Sequence, residues 1–432
     1  LLPLKKSISG IRGIFGADLT LTDVLRFCSN FAPLIKSKKC VVGNDTRPSS
    51  DVVREAAIAA LMSGGIDVYN LGMVPTPVVF REARMYGAGL IITSSHNPLQ
   101  WNGLKFIIKG RGPNEKEFDE ILKEKPFHKT EIGSEKKIHS SYVAQAAKMI
   151  GKAKGRPHVV VDVGGGAASA VAPTLLKKIG CHVKVINQSS AKRGPDPTSD
   201  KLTQLQAESK KADIGFAFDL DGDRLVVVKD GKRQSPDTTM ALGVSKALAL
   251  GYKRFCLSID TSVAVEKYIT NNGGIVIRSK VGEANVIDTM LRRDCQAGGE
   301  GSSGGFILPE FNMCRDGILT SGLVAAMSDD KVDEVIEFVS NYIQLRIKVD
   351  VESNLHERVL VKLQKKMKPR FSELITIDGI KAIVDEDTWA LVRKSNTEDI
   401  IRVSVESNSL AKAKKIQKEI VCLLKESYGQ AR

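Results

Sequence analysis

One pattern recurs three times along this chain, and it restricts the fold more than any other feature. Basic residues lead into an apolar, β-type run, an acidic residue follows among small ones, and a stretch with helical spacing comes next. The copies are KKCVVGNDTRPSS ending at Ser50, RPHVVVDVGGGAASA ending at Ala170, and YKRFCLSIDTSVAV ending at Val265. Each reads as the first strand and helix of an α/β unit. Asp45, Asp162 and Asp260 take matching places in them, roughly a hundred residues apart, which is the size of a small domain. Three successive α/β domains follow from that spacing.

A chain of 432 residues is too long for one hydrophobic core. The Lys-, Glu-, Gly- and Pro-rich segment Lys109 to His139 reads as an exposed hairpin or loop that closes the first domain, with a boundary near residue 150. A second boundary precedes Gly251, and a third falls near residue 346, after the helix-like run DEVIEFVSNYIQLR. The expected domains are thus 1–150, 151–250, 251–345 and 346–432. In the last of these, DGIKAIVDEDTWALVRKSN and IIRVSVES alternate like half-buried strands before a basic helix, the pattern of a small α+β domain.

Composition narrows the class of function. Hydrophobic residues make up 42% and charged residues 26%, ordinary values for a globular protein. No apolar run approaches the 18 or so residues of a membrane span. Leu1 to Gly10 lacks the pattern of a secretory signal, so a cytoplasmic protein with no membrane partner is expected. The net charge of +14 attracts anions. With 5% aromatic residues and no aromatic-interleaved basic patch, the expected anion is a small phosphate and not nucleic acid. Seven cysteines, Cys28, Cys40, Cys181, Cys256, Cys295, Cys314 and Cys422, stand singly and read as reduced thiols.

Four loops carry residues suited to chemistry. In AGLIITSSHNPLQWNGLKFII an apolar strand runs into Thr93 to Pro98, displaying Ser95 at the strand end, with His96 and Lys105 near enough in sequence to move a proton. The same residues would also make a plain turn. FAFDLDGDRLVVV sets Asp219, Asp221 and Asp223 at alternate positions, so that strand alternation points three carboxylates one way. Such a trio repels itself unless a hard cation such as Mg2+ sits among it, and Arg224 could hold a phosphate. An EF-hand is excluded, since Arg224 stands where it needs Gly and Asp230 where it needs Glu. GGEGSSGGFILPEF offers Glu300, Ser302 and Ser303 on a glycine loop, suited to sugar hydroxyls or to a plain linker. VRKSNTEDIIRV places Arg393, Ser395, Asn396 and Thr397 in a turn, with Arg402 on the next strand, as an anion cradle or an ordinary polar turn. VVVDVGGGAAS looks like a dinucleotide fingerprint, but Ser169 takes the third glycine position and Asn187 stands where the ribose acid belongs. No nucleotide cofactor is expected.

Taken in order, these loops resemble the α-D-phosphohexomutase family of phosphoglucomutases, phosphomannomutases and phosphoglucosamine mutases. SGIRG at Ser9 to Gly13 is similar to that family's N-terminal active-site motif, TSSHNP to its phosphoserine loop and DLDGDR to its metal loop. GEGSS is similar to its sugar-binding loop and RKSNTE to its phosphate-binding loop. The resemblance implies three similar α/β domains with mixed sheets plus a smaller C-terminal α+β domain around a central cleft. It implies a phosphorylated Ser95, one Mg2+ held by Asp219, Asp221, Asp223 and the phosphoserine, and Arg12 and Lys105 beside the reacting hydroxyl. Lys105 is the proton-transfer candidate. Arg224 would assist substrate binding near the metal, Glu300 and Ser302 would hold the sugar, and Arg393, Ser395, Asn396, Thr397 and Arg402 the distal phosphate. The implied reaction interconverts hexose 1-phosphate and hexose 6-phosphate through a hexose 1,6-bisphosphate, in a monomer or homodimer. A Mg2+-dependent sugar-phosphate phosphatase and a non-catalytic sugar-phosphate sensor are the alternatives. Departures bear on sugar preference: Gly304 or Gly305 stands where many members have histidine, Glu283 where some have His or Lys, and Asp399 where proline is frequent. The GEG and VGEANV forms are closest to phosphoglucosamine and broad-specificity mutases, which makes glucosamine phosphate the expected substrate.

Overall fold

The computed structural model describes residues 4–123, 131–189, 193–395 and 399–431. Each recurring run forms the central strand of a sheet: Lys39–Asn44, His158–Asp162 and Arg254–Ser258. On one side it pairs in parallel with the strand that follows it, Asp67–Met73, His182–Ile186 or Ile275–Ser279. On the other it pairs in parallel with a third strand, Ala88–Ile92, Ile214–Phe218 or Ala297–Glu300. That third strand turns back into an antiparallel fourth: Trp101–Ile108, Leu225–Lys229 or Gly305–Ile307. One mixed four-stranded unit is therefore used three times, and the first sheet adds Lys5–Ser7, Gly10–Ile14 and Glu135–Lys137 at its edges.

The apolar runs have a direct physical cause. Successive strand side chains face opposite ways, so a sheet covered on both faces needs hydrophobic residues at nearly every position. In the first sheet Val41, Ile91 and Ile107 enter one core, while Cys40, Val42, Leu90, Ile92 and Phe106 enter the other. The fourth sheet is antiparallel throughout, in the order Ile343–Asp350, Ile400–Ser407, Thr388–Lys394, Ile380–Asp385, Glu373–Ile375. The helices His356–Met367 and Leu410–Gly429 pack on it through Val359, Leu363, Ile420 and Leu424. The architecture is three similar α/β units and a smaller C-terminal α+β unit.

Two local expectations need correction. The segment from Lys109 to His139 is not a simple exposed hairpin. Within it Asn114 and Glu117 form a reciprocal capping box that starts the helix Glu115–Leu122, and Phe118 and Ile121 anchor that helix in the first core. Glu135–Lys137 then adds a parallel edge strand beside Asp67–Met73. The run DEVIEFVSNYIQLR is helical only to Ser340, and Ile343 onward is the edge strand of the fourth sheet. Pairing with Ile400–Ser407 along its whole length captures those residues. The helix Pro236–Ala249 precedes the expected division at residue 250, yet it packs on strands of both the second and the third sheet.

Candidate active site

Three of the four chemically suggestive loops are one and the same corner of the repeated unit. Residues 93–100, 219–224 and 301–304 each join a third strand to its antiparallel fourth. They lie beyond the carboxyl ends of the parallel strands, where open α/β sheets bind ligands.

Ser95 sits in the left-handed region, at φ 50°, a conformation that costs a non-glycine residue about 1–3 kcal/mol and persists only when its surroundings enforce it. Arg47 enforces it. Its Nη2 donates to the carbonyl oxygens of Ser95 (2.5 Å) and Asn97 (2.8 Å), and its Nη1 to those of Pro98 (2.5 Å) and Trp101 (2.8 Å). Asp45 accepts from Arg47 Nε at 2.9 Å and from the hydroxyls of Ser50 and Thr93, and Thr93 in turn accepts the Ser95 N–H. The acid of the first recurring run therefore anchors the arginine that shapes the serine loop. Asp162 repeats this in the second unit: it pairs with Arg193 Nε at 3.0 Å, and Arg193 donates to the Phe218 carbonyl, one residue before Asp219.

Ser95 Oγ donates to Asp219 Oδ2 at 2.9 Å, and His96 Nδ1 lies 3.5 Å from Ser95 Oγ. Carboxylate oxygens of Asp219, Asp221 and Asp223 lie within 4.8 Å of one another, and all three residues are buried. Strand alternation is not what gathers them, since all three belong to the turn between two strands. The turn closes through Gly222, at φ +69°. One oxygen of each acid is tied from outside the turn. Ser95 holds Asp219, Thr76 Oγ1 donates to Asp221 Oδ2 at 2.6 Å, and Arg315 Nη2 donates to Asp223 Oδ2 at 2.7 Å. Asp221 Oδ1 and Asp223 Oδ1 are buried with no hydrogen-bond partner among the described residues. Unsatisfied buried anionic oxygens are costly, and three hard oxygens converging this closely fit a divalent cation such as Mg2+.

Charge in the site is unevenly distributed. Burial, then repulsion from Asp221 and Asp223, pushes the Asp219 carboxyl well up. Burial and Asp223 raise Asp221 as well. Asp223 is buried too, but Arg315 and Lys105 hold its carboxyl far below the usual range. Lys105 Nζ lies 2.9 Å from Glu283 Oε1 and 3.8 Å from Asp223 Oδ2. Burial pulls the Lys105 ammonium down, but Glu283 and Asp223 more than offset this and leave it above the usual lysine value. Burial, and next Arg224, push the His96 imidazole down to about 3. Arg12, on Gly10–Ile14, is weakened by burial and supported by the charges of Asp221 and Asp223.

Beside the trio lies a cavity of about 330 Å3. All four units line it, with His96, Arg224, Asp260, Glu300, Ser302, Arg393 and Arg402 among its walls. Arg224 pairs with Asp196 at 3.3 Å and Arg393 with Asp378 at 2.9 Å. Glu300 accepts the Gly282 N–H at 2.7 Å and Arg315 Nη1 at 3.1 Å. Ser395 is buried just beyond the strand Thr388–Lys394, while Asn396 and Thr397 lie outside the described residues. Sequence reasoning did not single out Arg47, Thr76 or Arg315 as site residues, and it treated Glu283 only as a departure. Only Arg47 had a signal, its place two residues after the acid of a recurring run. In VVVDVGGGAAS, Gly166 is there for packing: a Cβ on it would come 2.8 Å from Leu220 backbone atoms, and Ala167 N–H donates to the Leu220 carbonyl at 2.8 Å.

A strand-end serine touching one of three clustered aspartates, beside an arginine-lined cavity, is the apparatus of a cation-assisted phosphoryl-transfer enzyme. Family profiles described as phosphoglucomutase/phosphomannomutase alpha/beta/alpha domains I, II and III match residues 4–132, 138–232 and 235–344, and the C-terminal domain matches 346–422. A probable phosphoglucosamine mutase of Pyrococcus abyssi is 32% identical, with 98% of each chain covered. One of Methanothermobacter thermautotrophicus is 34% identical over 94% of this chain and 95% of its own. A phosphoglucomutase/phosphomannomutase family protein from Burkholderia thailandensis shares the fold at TM-score 0.85 and 24% identity, with 98% of each chain covered. The chain belongs to the phosphoglucomutase/phosphomannomutase family.

Proposed function

We propose that this protein is a phosphohexomutase that interconverts glucosamine 1-phosphate and glucosamine 6-phosphate through a phosphorylated Ser95 and a hexose 1,6-bisphosphate. The observation that carries the reading is the 2.9 Å contact of Ser95 Oγ with Asp219, beside two orphaned aspartate oxygens. The relatives called probable phosphoglucosamine mutase support the amino sugar. One Mg2+ at Asp219, Asp221 and Asp223, completed by the Ser95 phosphate, would neutralise phosphoryl charge there.

The chain's own residues account for the remainder. The bond from Ser95 Oγ to phosphorus breaks as a sugar hydroxyl forms its own bond to that phosphorus, and the hydroxyl proton leaves. Lys105, held as an ammonium by Glu283, balances charge beside the acid trio and would give its proton to the departing Ser95 oxygen, its neutral amine then taking up the proton of the sugar hydroxyl. Arg12 adds positive charge near Asp221 and Asp223. Arg224, Glu300 and Ser302 hold the sugar, and Arg393, Ser395, Asn396, Thr397 and Arg402 hold the phosphate that does not react. A bisphosphate presents either end to the same two phosphate positions, so turning it around completes the isomerisation.

The test is to incubate phosphorylated protein, with Mg2+, with glucosamine, glucose and mannose 1-phosphates, and to follow the 6-phosphates. Conversion that disappears in Ser95→Ala is expected. Release of inorganic phosphate without isomer, or no phosphate ever found on Ser95, would replace the reading with a phosphatase or a sensor.

A further inference from the structure

The third repeat departs from the arrangement that the first two share. Asp45 pairs with Arg47 and Asp162 with Arg193, each acid spending its charge on the arginine that braces a neighbouring loop. In the third unit the bracing arginine is Arg278, whose Nη1 donates to the carbonyls of Ser258 (3.0 Å) and Thr261 (3.1 Å), on either side of Asp260. Its charge, however, is taken by Glu266, whose Oε2 accepts Arg278 Nε at 3.1 Å. Asp260 is thereby released. Among the described residues its carboxylate accepts one hydrogen bond, from Ser258 Oγ at 2.7 Å, and makes no ion pair.

Asp260 lines the same cavity as Glu300 and Ser302. The cavity's two other acids are neutralised, Asp196 by Arg224 and Glu300 by Arg315. Arg346, Arg393 and Arg402 make the rest of the wall suited to phosphate. Among these arginines a carboxylate that makes no ion pair favours, over a plain sugar phosphate, a ligand that carries a positive group beside its phosphate. An amino sugar supplies one.

We propose that Asp260 is a specificity-determining residue that accepts hydrogen bonds from the protonated amine of an amino-hexose phosphate. This rests on the phosphohexomutase reading and deepens it. An uncharged hexose offers the carboxylate only hydroxyls, whereas an ammonium adds a charge-assisted contact. The bracing of the Asp260 turn by Arg278 keeps that carboxylate in place without consuming its charge.

The experiment compares kcat/KM for glucosamine, glucose and mannose 1-phosphates in the wild type and in Asp260→Asn, which keeps the side-chain shape and the acceptor for Ser258. The ratio of glucosamine to glucose efficiency is expected to fall about ten- to a hundredfold. Damage to folding lowers all substrates together and leaves the ratio untouched. A second measurement in a Ser95→Ala background, calorimetric binding of glucosamine 6-phosphate against glucose 6-phosphate with and without Asp260→Asn, reads the same preference without turnover. An unchanged ratio in both, or a wild type that prefers glucose or mannose phosphate, overturns the role of Asp260 and leaves the mutase standing. A wild type that converts none of the three overturns the mutase itself.

Discussion

Thr76 is the clearest place to test how the cation site is built. It belongs to the first unit, at the start of the helix Thr76–Tyr86, yet its hydroxyl holds Asp221 of the second unit at 2.6 Å and its N–H holds the Asp221 carbonyl at 2.8 Å. Thr76→Val removes the hydroxyl alone and keeps shape, burial and the backbone contact. A hydrogen bond to a charged group contributes about 1.5–3 kcal/mol, and about 1.4 kcal/mol is tenfold in binding. Affinity for Mn2+, as a spectroscopic stand-in for Mg2+, should therefore fall about ten- to a hundredfold, the usual effect of losing a residue that orients a metal ligand. Electron paramagnetic resonance titration of unphosphorylated protein reads this without turnover, and a thermal melt without metal checks the fold. Thr76→Ser should restore most of the affinity. The opposing effect is that an unbonded Asp221 carboxylate is a stronger ligand. Unchanged or tighter Mn2+ binding in Thr76→Val would mean that this effect dominates, and would refute orientation by Thr76.

Arg47→Met should lower stability by about 3–5 kcal/mol, because it strands the buried Asp45 carboxylate without its partner; urea unfolding measures it, and hydrogen exchange should show residues 93–101 losing protection first. Asp237, at the contact of the third and fourth units, has its carboxyl pushed up to about 7 by burial and then by Glu406. The unfolded value is about 3.9, so the folded protein binds an extra proton between about pH 4 and pH 7 and loses stability as pH rises through that window. Asp237→Asn still accepts the Ser262 N–H and should be stabilised at pH 8 relative to pH 4 by at most about 4 kcal/mol. Melting curves that differ from wild type by the same amount at both pH values would refute the shift.

What could be read from the sequence was whatever is local in it. Each α/β unit announces itself because a doubly covered central strand must be apolar along its whole length, and the acid that ends it must be polar. The aspartate trio and Ser95 each occupy one short segment, so their grouping needs no knowledge of tertiary contacts. Thr76, Arg315 and Glu283 enter the site only because the packing of three units brings them there, and nothing in their neighbourhood marks them. The helix Glu115–Leu122 was hidden because only Phe118 and Ile121 of it are buried, in a charged stretch. Tyr342 to Arg346 looked helical because the apolar spacing continued beyond Ser340, and only pairing with a strand some sixty residues later decides otherwise.

Repetition also explains why the site has the composition it has. A unit that always turns back at the end of its third strand delivers one loop to one place, so three copies supply the Ser95 loop, the aspartate trio and the Glu300 loop from a single topology. The cost is that three polar corners meet in a buried space, and each needs compensating charge. In the first two units the acid at the central strand consumes its arginine locally, which rigidifies Ser95 and Asp219 before any ligand arrives. In the third, Arg278 turns to Glu266 and the corner keeps a spare carboxylate. Preorganisation is thus greatest around Ser95 and the aspartate trio, where phosphoryl transfer is proposed, and the unspent charge lies beside the loop proposed to hold the sugar.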